Sequence, residues 1–584
     1  MIGQLQVLLL FSEKHITAVQ SDSTIGSCVG TKHGTVCGGT SNVLGSEVEF
    51  YLGIPYAMPP TGKRRFKPPK KVKFWKRQID GTKHGKACIQ DTRLAAVHPG
   101  LAQYIANETT LSENCLFLNI WKPRITGSTI SKLPVVVFIH GGGFSVGSGS
   151  LSLYNGEIFA AYNSVIYINL NYRLGFLGFG YLGIKGLDGN MGLLDQQLAI
   201  EWVHDNIAGF GGDPTKITLM GQSAGAACVS AHLLSPKSLE LFSTAIIQSG
   251  TITTPGVMLQ PDEAVLKAHT IANEVGKCDA ASLSQTYLCL QNMTAASLNQ
   301  RHPSPGGKIY DSNYAIVNYD ASFFGGQDGD VLQSLKQLNH SNHTIIIGST
   351  AEEGSYFIPA LFATSSGLHF ENSDKWRVST HNFESKVHID LEAYISKFSE
   401  RKTLIDAYKN EILDIDNTEE MEAVNVKTAV ALYTDLLFTC PGFQFINLLI
   451  KKKGPKANTL QPKAIYNYMF NYSTSGTLFP SSMGAYHAVD LYFTFGKPLM
   501  ENNASKWSES DVAISKAIMT LWGEYAKTRK PPDNNWLPTI AENMFNVKLM
   551  STTKDHVIKP NKILERCQML WKFSNTPKMF KDEL

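Results

Sequence analysis

The chain has 584 residues, 43% hydrophobic and 18% charged, so it can bury a large core and reads as globular. Its 53 Lys and Arg against 50 Asp and Glu leave a net charge of +3, which argues against nucleic acid or an anionic membrane as the main partner. Length alone would suggest about four domains, but no Gly/Ser-rich linker, repeat or low-complexity tract divides the chain, and one large domain over residues 25–575 is expected.

Residues 7–11 form a short apolar run without a basic flank, followed by Glu13, Lys14 and His15. They make a weak signal segment within residues 1–24, and both cleavage near Ala18 and a misassigned start stay open. The richest basic run, from Lys63 to Arg77 with Pro68 and Pro69 inside it, reads as a solvated loop rather than a polyanion site. Residues 134–140 are apolar and β-branched, the pattern of a strand buried on both faces, and Gly141-Gly142-Gly143-Phe144 follows at once. A strand is expected over 164–172. A helix over 193–207 carries Leu194, Leu198 and Trp202 on one face and stops at the glycines 209, 211 and 212. A strand over 216–220, a helix over 224–231 and a strand over 243–248 come next. Further strands are expected near 344–347 and 464–468, and a helix over 511–526. Strands alternating with helices argue an α/β fold with a mainly parallel sheet covered on both faces. No stretch apart from the N-terminus approaches about 18 uninterrupted apolar residues, so no membrane span is expected.

Three features point to the secretory pathway. Nine cysteines exceed what a cytosolic chain needs. Asn107, Asn292, Asn339, Asn342, Asn471 and Asn503 are N-glycosylation acceptors in Asn-x-Ser/Thr triplets. The chain ends Lys581-Asp582-Glu583-Leu584, which reads as an address for the endoplasmic reticulum lumen, with a KDEL-type retention receptor as partner. Residues 576–584 form the tail that carries it.

The chemistry centres on Gly221-Gln222-Ser223-Ala224-Gly225, a Gly-x-Ser-x-Gly turn between a strand and a helix. Such a nucleophile elbow is tight enough to require the flanking glycines, and it lifts the serine hydroxyl clear of the sheet. A serine alcohol is a weak nucleophile that needs a base, a group to orient the base, and donors for the developing oxyanion. The glycine run after the 134–140 strand can aim the Gly142 and Gly143 N–H groups at a shared point with that of Ala224.

Residues 51–57 (Tyr-Leu-Gly-Ile-Pro-Tyr-Ala), 112–119 (Ser-Glu-Asn-Cys-Leu-Phe-Leu-Asn), 171–175 (Asn-Tyr-Arg-Leu-Gly), 190–196 and 210–214 (Phe-Gly-Gly-Asp-Pro) join these motifs in one pattern. From Gly38 to about Trp571 the chain resembles the type B carboxylesterases, the cholinesterase-like branch of the α/β-hydrolases. The resemblance implies an α/β-hydrolase fold with a mostly parallel central sheet flanked by helices, and serine-esterase activity needing neither cofactor nor metal. It makes Ser223 the nucleophile and Gly142, Gly143 and Ala224 the oxyanion hole. His487, in Gly484-Ala485-Tyr486-His487, becomes the base. Glu353, rather than Glu352, becomes the acid. It further implies disulfides Cys88–Cys115, Cys278–Cys289 and Cys440–Cys567, ion pairs Arg65–Glu113 and Arg173–Asp195, and a supporting hydrogen bond from Ser249 to the acid. Cys228 is expected as a buried thiol, and a Cys28–Cys37 bridge stays open.

Two departures bear on substrate. Cholinesterases place a tryptophan ten residues before the second cysteine of the first loop, to hold a cation by cation–π attraction. Ile105 stands there in this chain, and neutral Gln222 replaces the carboxylate that usually precedes the serine. Both remove attraction for a choline ester and favour a broad-specificity carboxylesterase for small neutral, hydrophobic esters. Gln-Ser-Ala-Gly also resembles insect juvenile hormone esterases, which keeps a hormone or lipid ester open. The C-terminus resembles luminal carboxylesterases such as nematode gut esterases. The contrasting class is a luminal non-catalytic binding protein of the same fold; relatives of that kind lose the triad, whereas this chain retains all three residues.

Overall fold

The computed structural model describes residues 25–93, 105–107, 110–124, 132–184, 189–274, 276–278, 282–299, 315–325, 331, 338–340, 342–362, 370–416, 420–450, 462–500, 506–539, 546–551, 556–558 and 561–574. The expected signal segment, the acceptor Asn503 and the terminal residues 581–584 lie outside them.

Leu133–Ile139 (Leu-Pro-Val-Val-Val-Phe-Ile) is buried except at Pro134, because this strand lies inside the sheet with both faces covered. Among the described residues that sheet has 13 strands. Along the chain its twelve main members are β1 (Ile25–Thr31), β2 (Gly34–Val43), β3 (Ser46–Pro55), β4 (Phe117–Pro123), β5 (Leu133–Ile139), β6 (Ile166–Leu170), β7 (Gly212–Gln222), β8 (Thr244–Gln248), β9 (Thr344–Thr350), β10 (Ala464–Phe470), β11 (Val547–Met550) and β12 (His556–Ile558). Their spatial order is β1-β2-β3-β4-β6-β5-β7-β8-β9-β10-β11-β12. The seven from β6 to β11 in that order pair in parallel, and antiparallel strands flank them on either side. The mostly parallel sheet of the α/β-hydrolase class is as expected.

Strand order reverses around β5. The chain leaves β5 toward β6 on one side, then crosses to β7 on the other and continues outward through β8, β9 and β10. The carboxyl ends of β5 and β7 therefore flank a topological switch point, where open α/β sheets place their sites. Register sharpens this: Gly221 sits opposite Ile139, and Gln222 opposite Gln248. The residues next in line are the glycine run after β5 and Ser223 after β7.

Helices α1 (Met191–Asn206) and α2 (Ala224–His232) fall where the periodicity places them. α3 (Met421–Thr434) continues through a π-helical turn, Asp435–Thr439, into α4 (Cys440–Ile450). Residues 421–450 are long and apolar enough to cross a membrane by length and composition, but 83% of their most apolar window is buried inside the protein. They are a mostly buried helix of the core, with exposed positions at Met421, Glu422 and Lys427 near its start. α5 (Glu509–Thr528) starts at a capping box, with Ser508 and Asp511 bonding each other's backbone N–H groups.

The three expected disulfides are present, and the open question of Cys28 resolves as a fourth, to Cys37. The two residues face each other across antiparallel β1 and β2. Cys228 is a buried thiol whose pKa burial pushes up to about 12, so it is inert. Both expected ion pairs form. Arg65 meets Glu113 through both guanidinium branches. Arg173 holds Asp195 with two bonds of 2.7 Å, and its backbone N–H adds a third to the same carboxylate. The second pair ties the loop after β6 to α1 in full burial. Asp195→Ala would leave the guanidinium buried and unpaired, and thermal or denaturant unfolding should show a loss of about 3–5 kcal/mol.

Candidate active site

Ser223 stands at φ +57°, ψ −127°, a region that L-residues avoid. Close packing imposes the turn. A Cβ on Gly225 would lie 2.1 Å from the Ile139 carbonyl oxygen, and one on Gly221 2.4 Å from the Gly225 oxygen. The Ser223 N–H donates to Gln248 O of β8 at 2.9 Å. Side chain and backbone of the serine are thereby separated, with the hydroxyl turned away from the sheet.

His487 and Glu353 meet this hydroxyl from loops after β10 and β9. The Ser223 hydroxyl lies 2.9 Å from His487 Nε2, and His487 Nδ1 lies 2.5 Å from Glu353 Oε2. The other carboxylate oxygen of fully buried Glu353 accepts the Thr350 N–H at 2.7 Å, which fixes its orientation. The imidazole lies among aromatic rings, Phe438 at 4.6 Å, Phe357 at 5.5 Å and Tyr356 at 5.9 Å between centroids. Phe438 rides on the π-helical turn, a distortion that recurs at functional sites. Gln222 Nε2 comes within 3.3 Å of His487 Nε2.

The glycine run lies against Ser223. A Cβ on Gly141 would come 2.9 Å from Ser223 Cβ. Gly142 has φ +108°, and a Cβ there would strike the Val146 carbonyl at 2.2 Å. The Ser145 and Val146 N–H groups donate to Gly142 O and close the turn. Those of Gly142, Gly143 and Ala224 go to no protein acceptor among the described residues, which is the arrangement that can receive an oxyanion. His140 braces the run from below. Burial pushes its pKa down to about 4, its Nδ1–H donates to Gly141 O at 2.8 Å, and its ring stacks on Tyr172.

One expected contact is absent. Ser249 was to donate to the acid, but its buried hydroxyl has no partner among the described residues, and Glu353 takes its second bond from the Thr350 backbone instead. Around the triad, Gln248 and Asp490 were given no role by the sequence, and Glu352 was weighed only as the acid not chosen. Glu352 accepts the Ala485 N–H at 2.8 Å while its own N–H donates to Ala485 O, so it pins the loop that carries His487. Burial raises its pKa. Gln248 donates to Asp490 Oδ2 at 2.8 Å, directly behind the triad. Burial first, and then the charge of Glu353, push the Asp490 pKa up to about 7. The only signal for Asp490 was its place three residues after the histidine on a short helix.

The two adjacent glutamates separate by kinetics. Glu353→Gln should lower kcat by roughly 10^3–10^4-fold, because an amide stabilises the wrong imidazole tautomer. Glu352→Gln should lower Tm and change kcat by less than about tenfold. For Asp490 the sign follows from its raised pKa. The neutral acid supports the fold below the ordinary carboxyl range, and that support is lost as pH rises through about 7. Asp490→Asn should therefore flatten the fall in Tm between about pH 4 and pH 8, read by calorimetry.

Comparison with known proteins agrees with this geometry. The model of the Carboxylesterase family matches residues 26–569. The chain is 32% identical over 513 residues to acetylcholinesterase 4 of Caenorhabditis briggsae, covering 86% of this chain and 81% of that protein. It is also 32% identical to the acetylcholinesterase of Bungarus fasciatus (86% and 79% covered) and to the cholinesterase of Mus musculus (86% and 78%). The chain belongs to the carboxylesterase family, carboxylic-ester hydrolases built on the α/β-hydrolase fold.

Proposed function

We propose that the protein hydrolyses neutral, hydrophobic carboxylic esters through an acyl-enzyme on Ser223. The observation that carries this is the hydrogen-bonded line from Ser223 through His487 to Glu353, beside the N–H groups of Gly142, Gly143 and Ala224, which have no protein acceptor among the described residues.

Ser223 Oγ attacks the ester carbonyl carbon while its proton passes to His487 Nε2. The Glu353 carboxylate holds the tautomer and offsets the imidazolium charge. The carbonyl oxygen, now an anion, accepts from the Gly142, Gly143 and Ala224 N–H groups; each such donor is worth about 3 kcal/mol of transition-state stabilisation. Collapse breaks the bond to the alcohol, which leaves with the proton from His487. Water then repeats the sequence on the acyl-enzyme, releasing the acid and restoring Ser223.

The matched relatives named above are cholinesterases, so choline esters are the competing substrate class. Ile105 in place of a tryptophan and Gln222 in place of a carboxylate remove two sources of attraction for a quaternary ammonium. Aromatic rings around His487 favour an apolar group instead. We further place the protein in the endoplasmic reticulum lumen, returned by a KDEL-type receptor and glycosylated. Four disulfides and the exposure of Asn107, Asn292, Asn339, Asn342 and Asn471 support that reading.

Ser223→Ala should cost at least roughly 10^3-fold in hydrolysis of a short-chain aryl ester. Wild-type kcat/KM should be similar for a choline ester and its uncharged carbon isostere. A preference above about tenfold for the cation, more than 1.4 kcal/mol, would reject the neutral-substrate reading.

A further inference from the structure

Between β3 and Ile79, the chain forms a segment that the proposed reaction does not use, tied to α1 through Lys71 and to the β1–β2 hairpin through Trp75. Positions 63, 64, 65, 67, 70, 71, 73, 76 and 77 are Lys or Arg, and residues 63–77 contain no Asp or Glu. Arg65 turns inward to Glu113, and Lys71 pairs with Glu201 of α1. Asp205, also on α1, is matched by Lys32. Lys63, Lys67, Lys70, Lys73, Lys76 and Arg77 are exposed and have no carboxylate partner among the described residues.

Phe74 stands inside this cationic strip and is 67% exposed. Its outward position is built, because its neighbour Trp75 takes the inward one. The Trp75 backbone N–H donates to His33 O at 2.8 Å, its indole N–H donates to Thr35 O at 3.1 Å, and its ring stacks on His33. A few residues earlier the strand-like bridge of Lys71 with Ala57 and the bond from Met58 N–H to Lys70 O fix the backbone again. Phe74 and the lysines around it are thus held on a tethered surface.

We propose that this flank docks peripherally on anionic phospholipid bilayers, with the lysines on the headgroups and Phe74 in the interfacial layer. The small net charge does not oppose this, since screening beyond about 8–10 Å makes the local arrangement decide. A sulfated polysaccharide would meet the same cations but offers no apolar layer for the phenyl ring. If hydrophobic esters are the substrates, docking places the enzyme where they concentrate; the docking itself does not depend on that reading.

The test is flotation of the full-length protein with vesicles of phosphatidylcholine alone or with about 30 mol % phosphatidylserine. Binding is expected only to the anionic vesicles, falling at least about tenfold between about 0.1 and 0.5 M salt. Phe74→Ser should weaken it roughly fivefold or more, and the triple change Lys70→Glu, Lys73→Glu, Lys76→Glu should abolish it. Both variants should hydrolyse a soluble short-chain ester at the wild-type rate, which shows that they are folded and separates this outcome from any failure of the catalytic reading. No binding, or equal binding to both vesicle types, overturns the proposal. So does undiminished vesicle binding by Phe74→Ser, and so does retention on heparin without vesicle binding, which would make the partner a polyanionic glycan.

Discussion

The backbone of Ser223, held at φ +57° and ψ −127°, is the constraint around which the molecule is arranged. Such a conformation costs about 1–3 kcal/mol and persists only where its surroundings over-determine it. Here β5 and β8 lie on either side of β7 in fixed parallel register, and the strand after β8 supports them in turn. The Gln248 carbonyl captures the serine N–H, and Gly225 brings α2 onto the Ile139 carbonyl so closely that no side chain fits. A buried, β-branched sheet is rigid enough to hold this strain. The switch in strand order then makes the serine and the oxyanion donors neighbours.

Three acidic residues lie around His487, and their surroundings give them different work. Glu353 faces Nδ1 and is oriented by the Thr350 N–H. Glu352, next in sequence, points to the backbone of Ala485 and fixes the loop rather than the ring. Asp490 is enclosed behind Glu353 and His487, where burial and Glu353 favour its neutral form, and its Oδ2 accepts from the Gln248 amide. A second full charge so close to Glu353 would cost free energy in a dry interior. Keeping Asp490 neutral leaves the Glu353 charge to serve the imidazole.

Much of this was legible in the sequence, for identifiable reasons. β5, β8 and β9 are rich in β-branched residues and β7 carries the apolar stretch Ile217–Met220, and the elbow and glycine loop sit at the ends of β7 and β5. Contacts that depend on one rotamer or one loop were not legible. Ser249 follows β8 at φ +57°, a backbone position that pattern does not reveal, and its hydroxyl meets no acceptor. Glu352 looks like a surface residue until the loop carrying His487 closes over it. The Cys28–Cys37 bridge required the register of a hairpin. Residues 421–450 are mostly buried, with Met421, Glu422 and Lys427 exposed near the start, and a π turn breaks their period.

The charge distribution around the imidazole also bears on the leaving group. In the proposed mechanism Glu353 offsets the charge of the protonated His487 at Nδ1, while the uncharged Gln222 amide stands next to Nε2 and Phe438 and Phe357 lie against the ring. The alcohol must approach that side to collect its proton. A cationic alcohol would there meet the Gln222 amide instead of a carboxylate at that position, whereas an apolar alcohol gains contact with the rings and loses little solvation. An amide in place of a carboxylate next to Ser223 would therefore act on the departing group as well as on initial binding, and both effects point the same way as the neutral-ester proposal.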